Sequence, residues 1–264
     1  MPVSFADVAG LSVLGTPERH RYGNGASQFG ELWLPESSDS AAPLVILIHG
    51  GCWLSDYDLS YVRPLAASLS ARGYAIWVPE YRRVGEPGGG WPGTFEDIAA
   101  AVDHVRKLPR QSIDLDRAVL AGHSAGGHLA LWGASRPWFA ESSPFHAPDA
   151  FPVSGVIGLA AITDLAAYAA GDNSCQQVTP KLLGGAPQEQ PQRYLATSPA
   201  QLQVHARSVL IYGLADSIVP LEQARVIERA HLVGIPQAGH FDLVHPGTAA
   251  FPSLLEALRG LVGP

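Results

Sequence analysis

The chain has 264 residues, 47% of them hydrophobic and 16% charged, with a formal net charge of −7. Such length and apolar content suit one α/β domain around a buried sheet and exclude intrinsic disorder. The acidic balance speaks against a surface built for phosphates, so no nucleic-acid partner is expected.

Two cysteines, Cys52 and Cys175, are too few for a disulfide framework or a zinc cluster, and they fit a reducing compartment. The opening Met-Pro-Val-Ser-Phe-Ala has neither a basic segment nor a long apolar core, so no secretory signal is read there. Apolar runs such as Leu44 to Ile48 are far too short to span a bilayer. The expectation is a soluble, cytoplasmic protein with no membrane partner.

In chain order, residues 1–27 read as irregular. A first strand is expected over Gln28 to Leu34, at a sheet edge because Pro35 ends it, followed by a polar loop from Glu36 to Pro43. Leu44 to Ile48 is a continuous apolar run of the kind buried in a parallel sheet, and it ends at His49-Gly50-Gly51-Cys52-Trp53. Leu59 to Ala71 has helical apolar spacing with Gly73 as its stop, Tyr74 to Val78 is the next strand, and the segment 80–93 is a long glycine-rich loop. Its glycines do not form a dinucleotide-binding pattern. Thr94 is expected to cap a helix whose apolar face is Ile98, Val102 and Val105.

Leu115 to Leu120 then leads into Gly122-His123-Ser124-Ala125-Gly126, after which Ala125, Leu129 and Trp132 give an apolar helix face. A strand, a sharp G-x-S-x-G turn and a helix push a serine hydroxyl out of the top of a sheet, which makes Ser124 the candidate nucleophile. Further strands are expected over Val153 to Leu159, Ser208 to Tyr212 and His231 to Pro236, with helices over Leu221 to Ala230 and Thr248 to Leu261. Between Asp164 and Gln201 the composition shifts to Ala, Gln, Pro and Gly with short helical pieces, read as a small cap inserted in a single domain spanning 1–264. Strands alternating with helices imply a mostly parallel sheet covered on both faces, with the loops at its carboxyl ends converging on one site.

A serine that attacks a carbonyl needs an imidazole to take its proton and a carboxylate to orient the imidazole. Ser124, Asp216 and His240 stand at strand ends in that order. The adjacent glycines after the buried strand free backbone N–H groups to face a cavity, as an oxyanion hole requires, and His49 is read as bracing that loop.

With these motifs the chain resembles the α/β-hydrolase superfamily, in its esterase branch with a His-Gly-Gly-x-Trp loop, similar to kynurenine formamidase-like and hormone-sensitive-lipase-like enzymes. The resemblance implies that the amides of Gly51, Cys52 and Ala125 hold the oxyanion, with Cys52 contributing its backbone and not its thiol. Tyr212 departs from the pattern, standing where a histidine often precedes the acid-motif glycine. Trp53, Trp91, Tyr168 and Phe241 are candidate substrate-binding aromatics, Trp53 having plain core as its alternative. Cys175 sits in the cap as a lesser pocket candidate. Asp242 and Asp164 are weaker alternatives for the acid, and His123 and His128 are read as structural, not as a metal pair.

The function these features imply is a serine carboxylic ester hydrolase acting on small acyl esters, with no cofactor and no metal. The alternative is an arylformamidase working through the same triad; a third reading is a catalytically silent ligand-binding member. The partner is a small-molecule ester or formamide, and a homodimer is open.

Overall fold

The chain's computed structural model describes residues 2–36, 40–109 and 111–263. The expected polar loop from Glu36 to Pro43 lies partly outside the described residues, at 37–39. In chain order the elements are α1 (Phe5–Ala9), β1 (Glu18–Arg21), β2 (Phe29–Trp33), β3 (Ala42–Ile48), α2 (Arg63–Ser70), β4 (Ala75–Pro79), α3 (Gly93–Asp103), β5 (Ile113–His123) and α4 (Ala125–Ser135). They continue with β6 (Gly155–Leu159), α5 (Leu165–Ala169), α6 (Thr179–Leu183), α7 (Pro191–Thr197), β7 (Ser208–Gly213), α8 (Glu222–Arg225), β8 (His231–Ile235) and α9 (Ala250–Val262).

The strands form one sheet in the order β1-β2-β4-β3-β5-β6-β7-β8. Only β2 runs against its neighbours; from β4 to β8 every pairing is parallel. Residues 44–48 of β3 and every residue of β4, β6 and β7 are buried. Because successive side chains in a strand point to opposite faces, unbroken burial means that both faces of the sheet are covered. Trp77 of β4 donates its indole N–H to the Ala101 carbonyl of α3 (3.0 Å), and Phe95 of α3 meets Trp132 of α4 edge-on at 5.1 Å. Elsewhere the Arg72 guanidinium, just past α2, lies 4.5 Å over the Phe251 ring of α9.

The sequence reading missed α1 and β1, and it placed β2 at an edge that β1 in fact covers. Glu18-Arg-His-Arg21 is largely exposed, so it carries no apolar alternation by which a strand could be recognised. Thr94 does not cap α3. Its hydroxyl donates to the Arg82 carbonyl (2.5 Å) and accepts from Gly90 N–H (3.0 Å), so it pins the glycine-rich loop, while Asp97 receives a forked pair from Arg82 at 2.8 and 2.7 Å. Of the expected helix from Leu221 to Ala230, only Glu222–Arg225 is α-helical.

The cysteines also depart from expectation, because Cys52 and Cys175 form a disulfide across a sequence separation of 123. It joins the loop after β3 to the helical insertion between β6 and β7. A second tie runs alongside: Trp53 Nε1–H donates to His128 Nδ1 (3.2 Å), and the other ring nitrogen of His128 lies 2.9 Å from the Thr197 carbonyl. Since Nδ1 accepts, Nε2 carries the proton and donates.

Cross-links of this span act mainly on the unfolded chain, so Cys175→Ser is expected to lower the unfolding free energy by about 2–4 kcal/mol in non-reducing buffer. Denaturant titration with and without reductant checks this, since the reduced parent should match the variant. Burial pushes the His128 imidazole down to about 4, with the Thr197 hydrogen bond opposing only in part. An unfolded histidine titrates near 6.5, so below that pH the unfolded chain binds a proton the folded one refuses, and stability falls until pH approaches 4. For this one ring the loss is about 3 kcal/mol. His128→Gln keeps a donor and an acceptor without the titration, and its unfolding free energy should fall less steeply between pH 6.5 and 4.5.

Candidate active site

Ser124 stands between the end of β5 and the start of α4 with φ 57° and ψ −120°, a conformation that costs a non-glycine residue energy and is held by its surroundings. Its N–H donates to the Leu159 carbonyl (2.8 Å) and its carbonyl accepts from His128 N–H (3.0 Å). The flanking glycines are demanded by contact: a Cβ on Gly122 would strike the Gly126 carbonyl, and one on Gly126 would strike the carbonyls of Ile48 and His49. The elbow is thus wedged against the end of β3, which brings Ser124 beside the loop that follows that strand.

In that loop Gly51, Cys52 and Trp53 all have positive φ, at 99°, 53° and 58°. The turn leaves the N–H groups of Gly51 and Cys52 without an acceptor among the described residues, and the same holds for Ala125 at the first position of α4. Gly51 and Cys52 line the cavity that holds Ser124; Ala125 stands behind Ser124, fully buried. His49 braces the loop as expected. It is stacked on Tyr81 at 4.5 Å with Nε2 at 2.8 Å from Glu80 Oε1, and Tyr81 donates its hydroxyl to the His49 carbonyl (2.9 Å). Burial alone would raise the Glu80 carboxyl, but His49 and Arg83 outweigh it and hold Glu80 below the ordinary range, so it stays ionised.

His240 places Nδ1 2.7 Å from Asp216 Oδ2. The other carboxylate oxygen, Oδ1, accepts from the N–H groups of Ile218 (2.7 Å) and Val219 (3.0 Å), which fixes the direction of the acid. With Nδ1–H committed to Asp216, Nε2 is left with its lone pair. Ser124 and His240 line one cavity of about 300 Å3, although the serine hydroxyl makes no hydrogen bond to the ring in this state. Catalytic hydrogen bonds are often long without substrate.

A second imidazole supports the first. His123, fully buried, lies with its ring 4.5 Å from that of His240, its Nε2 3.1 Å from the His240 carbonyl and its Nδ1 3.0 Å from Tyr61 Oη. Tyr61 Oη accepts from Gly50 N–H at 2.6 Å. An amide can only donate and a carbonyl only accept, so the order is fixed: Gly50 N–H to Tyr61, Tyr61 O–H to His123 Nδ1, His123 Nε2–H to the His240 carbonyl. Burial, with His240 adding to it, pushes His123 well below its usual range and keeps it neutral, as that chain requires.

The two other carboxylates considered for the acid are engaged elsewhere. Asp164 caps α5 by accepting from Ala167 N–H (3.0 Å), and Asp242 Oδ2 accepts from Val3 and Gly239 N–H at 2.9 Å each. Of the four candidate substrate-binding aromatics, only Phe241 lines the cavity. Trp53 is fully buried against His128 and belongs to the core. Trp91 faces a different hollow, beneath the Arg193 guanidinium at 5.5 Å. Tyr168 is buried, its hydroxyl on the Ile218 carbonyl (3.3 Å), where it props the acid loop. Tyr212, also buried, donates to the Ala161 carbonyl.

The sequence reading did not find Phe5, Tyr57, Tyr61, Asn173 or Ile218, which also line the cavity. For Phe5 a local signal existed: Ser4 and Asp7 are spaced as a capping box, and both halves of that box are formed. Cys175 does line the cavity, as half of the disulfide. Among the described residues no group of three or more His, Cys, Asp or Glu is placed to hold a metal ion, and no helix is long and apolar enough to cross a membrane.

Over 248 residues the chain is 25% identical to Esterase LipC of Mycobacterium tuberculosis, covering 90% of this chain and 60% of that protein. Over 144 residues it is 31% identical to the kynurenine formamidase of Danio rerio, covering 52% of this chain and 45% of that protein. The chain therefore spans less than two thirds of the length of these curated relatives. Among solved structures, Esterase B from Lactobacillus Rhamnosis superposes with a TM-score of 0.80 over 96% of this chain and 87% of its own, at 23% identity, and shares the α/β-hydrolase fold. The BD-FAE family profile matches residues 31–230, which hold the loop after β3, the serine elbow and Asp216, and the chain belongs to that family.

Proposed function

We propose that the protein is a serine hydrolase that cleaves small carboxylic esters through an acyl-enzyme, with Ser124, His240 and Asp216 as its triad. The observation that carries the reading is the 2.7 Å contact between His240 Nδ1 and Asp216 in the wall of the cavity that also holds Ser124 and the unpaired Gly51 and Cys52 amides. Ser124 Oγ attacks the ester carbonyl while His240 Nε2 takes its proton, and Asp216 steadies the imidazolium. The amides of Gly51, Cys52 and Ala125 receive the negative charge that develops on the carbonyl oxygen. His240 then hands the proton to the leaving alkoxide. Water, deprotonated by the same ring, releases the acid and restores the serine.

A cavity of about 300 Å3 lies at the small end of ligand-binding sites, which supports short acyl esters as the substrate class. The second reading, cleavage of an N-formyl arylamine, is favoured by the aromatic wall of Tyr57, Tyr61 and Phe241 and by the similarity to kynurenine formamidases. Both reactions use one acyl-transfer site. A silent ligand-binding role is disfavoured because all three catalytic positions are filled. We read the chain as one domain with residues 164–201 as its cap, without resident metal or cofactor and without a nucleic-acid partner; a homodimer stays open to a sizing experiment. The disulfide moves the proposed location from the cytoplasm to an oxidising compartment.

Ser124→Ala is expected to reduce kcat on p-nitrophenyl acetate by on the order of a million-fold with the fold intact, and a parent-like rate in that variant overturns the mechanism. To separate the two readings, kcat/KM is compared for p-nitrophenyl acetate and N-formylkynurenine. The ester reading expects the acetate to be the better substrate, and the reverse order assigns the formamidase.

A further inference from the structure

One wall of the catalytic cavity comes from residues that precede the first strand. Helix α1 is five residues long, too short to persist by its own hydrogen bonds, so its position is imposed by contacts. The Ser4–Asp7 capping box closes its first turn, and Val8 is fully buried beneath it. Upstream, Val3 N–H donates to Asp242 Oδ2 at 2.9 Å, and that same oxygen accepts Gly239 N–H at 2.9 Å. Gly239 itself gives Pro2 room: a Cβ there would lie 2.6 Å from Pro2 Cβ. Residues 2–9 are thus seated on the turn that carries His240.

What this strap delivers is Phe5. Its half-buried ring lines the cavity with Ser124 and His240, and it is gripped by three other rings: Tyr57 at 5.4 Å, Phe241 at 5.6 Å and Tyr61 at 5.7 Å. The contacts with Tyr57 and Phe241 are edge-to-face and that with Tyr61 is tilted, and rings on three sides leave it little freedom to swing out of the way. Tyr57 and Tyr61 come from the segment after β3 and Phe241 from the histidine turn, so Phe5 fills the gap between the segment after β3 and the turn that carries His240.

We propose that residues 2–9 form a specificity strap over the catalytic cavity, in which Phe5 limits the length of the acyl chain that the site accepts. The inference rests on the esterase reading above. It concerns the size of the acyl group, not the bond cleaved.

The test measures kcat/KM for p-nitrophenyl acetate and p-nitrophenyl hexanoate with the parent, Phe5→Leu and Phe5→Trp, active sites being counted by fluorophosphonate titration. Phe5→Leu keeps an apolar anchor for the strap while removing the ring. The hexanoate-to-acetate ratio is expected to rise about tenfold in Phe5→Leu and to fall several-fold in Phe5→Trp, the scale set by one or two methylenes gaining or losing their space. Ratios within twofold of the parent in both variants overturn the strap inference while leaving the esterase reading intact, because acetate turnover by the parent and its loss in Ser124→Ala are read in the same series. A parent that hydrolyses neither ester overturns that reading, and this inference with it.

Discussion

The site depends on one steric constraint: the backbone of the serine elbow is pressed directly onto the end of β3. Neither Gly122 nor Gly126 has room for a side chain, since the first would meet the carbonyl of the second and the second would meet Ile48 and His49. That contact gives Ser124 a backbone conformation it would not choose, and it holds the proposed nucleophile beside the amides of the loop after β3. The stability stored in the buried parallel strands on either side is what holds a residue at φ 57° in place.

Around that contact, polar links tie the loops to one another more than to solvent. Gly50, Tyr61, His123 and the His240 carbonyl form a single directed chain, so the loop after β3 and the histidine turn are held in register through a neutral imidazole lying between them. Protonating His123 would put a second donor where Tyr61 donates, and it would bring a charge to within 4.5 Å of the His240 ring. Burial suppresses that event. The same economy governs His128, which joins Trp53 to the insertion, so that the two histidines flanking Ser124 both work as uncharged connectors.

The core of the sheet and the three residues of the proposed triad were legible in the sequence because both leave dense local signals. Continuous apolar runs mark β3, β4 and β7, and Ser124, Asp216 and His240 each follow a strand within a short motif that carries glycine. Tertiary partners left no such trace. Nothing in the spacing of Cys52 and Cys175 says that they meet, because the pairing depends on how the insertion folds back onto the loop after β3. Trp53 looked like a pocket wall on account of its motif, yet the positive φ at Cys52 and Trp53 turns its ring inward to His128, and the neighbouring disulfide takes the cavity position instead. Charged β1 and the short α1 are set by what they pack on, and periodicity carries no record of that.

Asp242, two positions from His240, shows how such a residue differs from Asp216, the proposed acid. Its Oδ2 accepts two backbone donors, one from its own turn and one from the far end of the chain. Asp216, by contrast, spends one oxygen on backbone amides and keeps the other for the ring. The donors decide the role: two amides from opposite ends of the chain on one oxygen make a clamp, and an amide pair on one oxygen with an imidazole on the other gives Asp216 the setting the proposed acid requires.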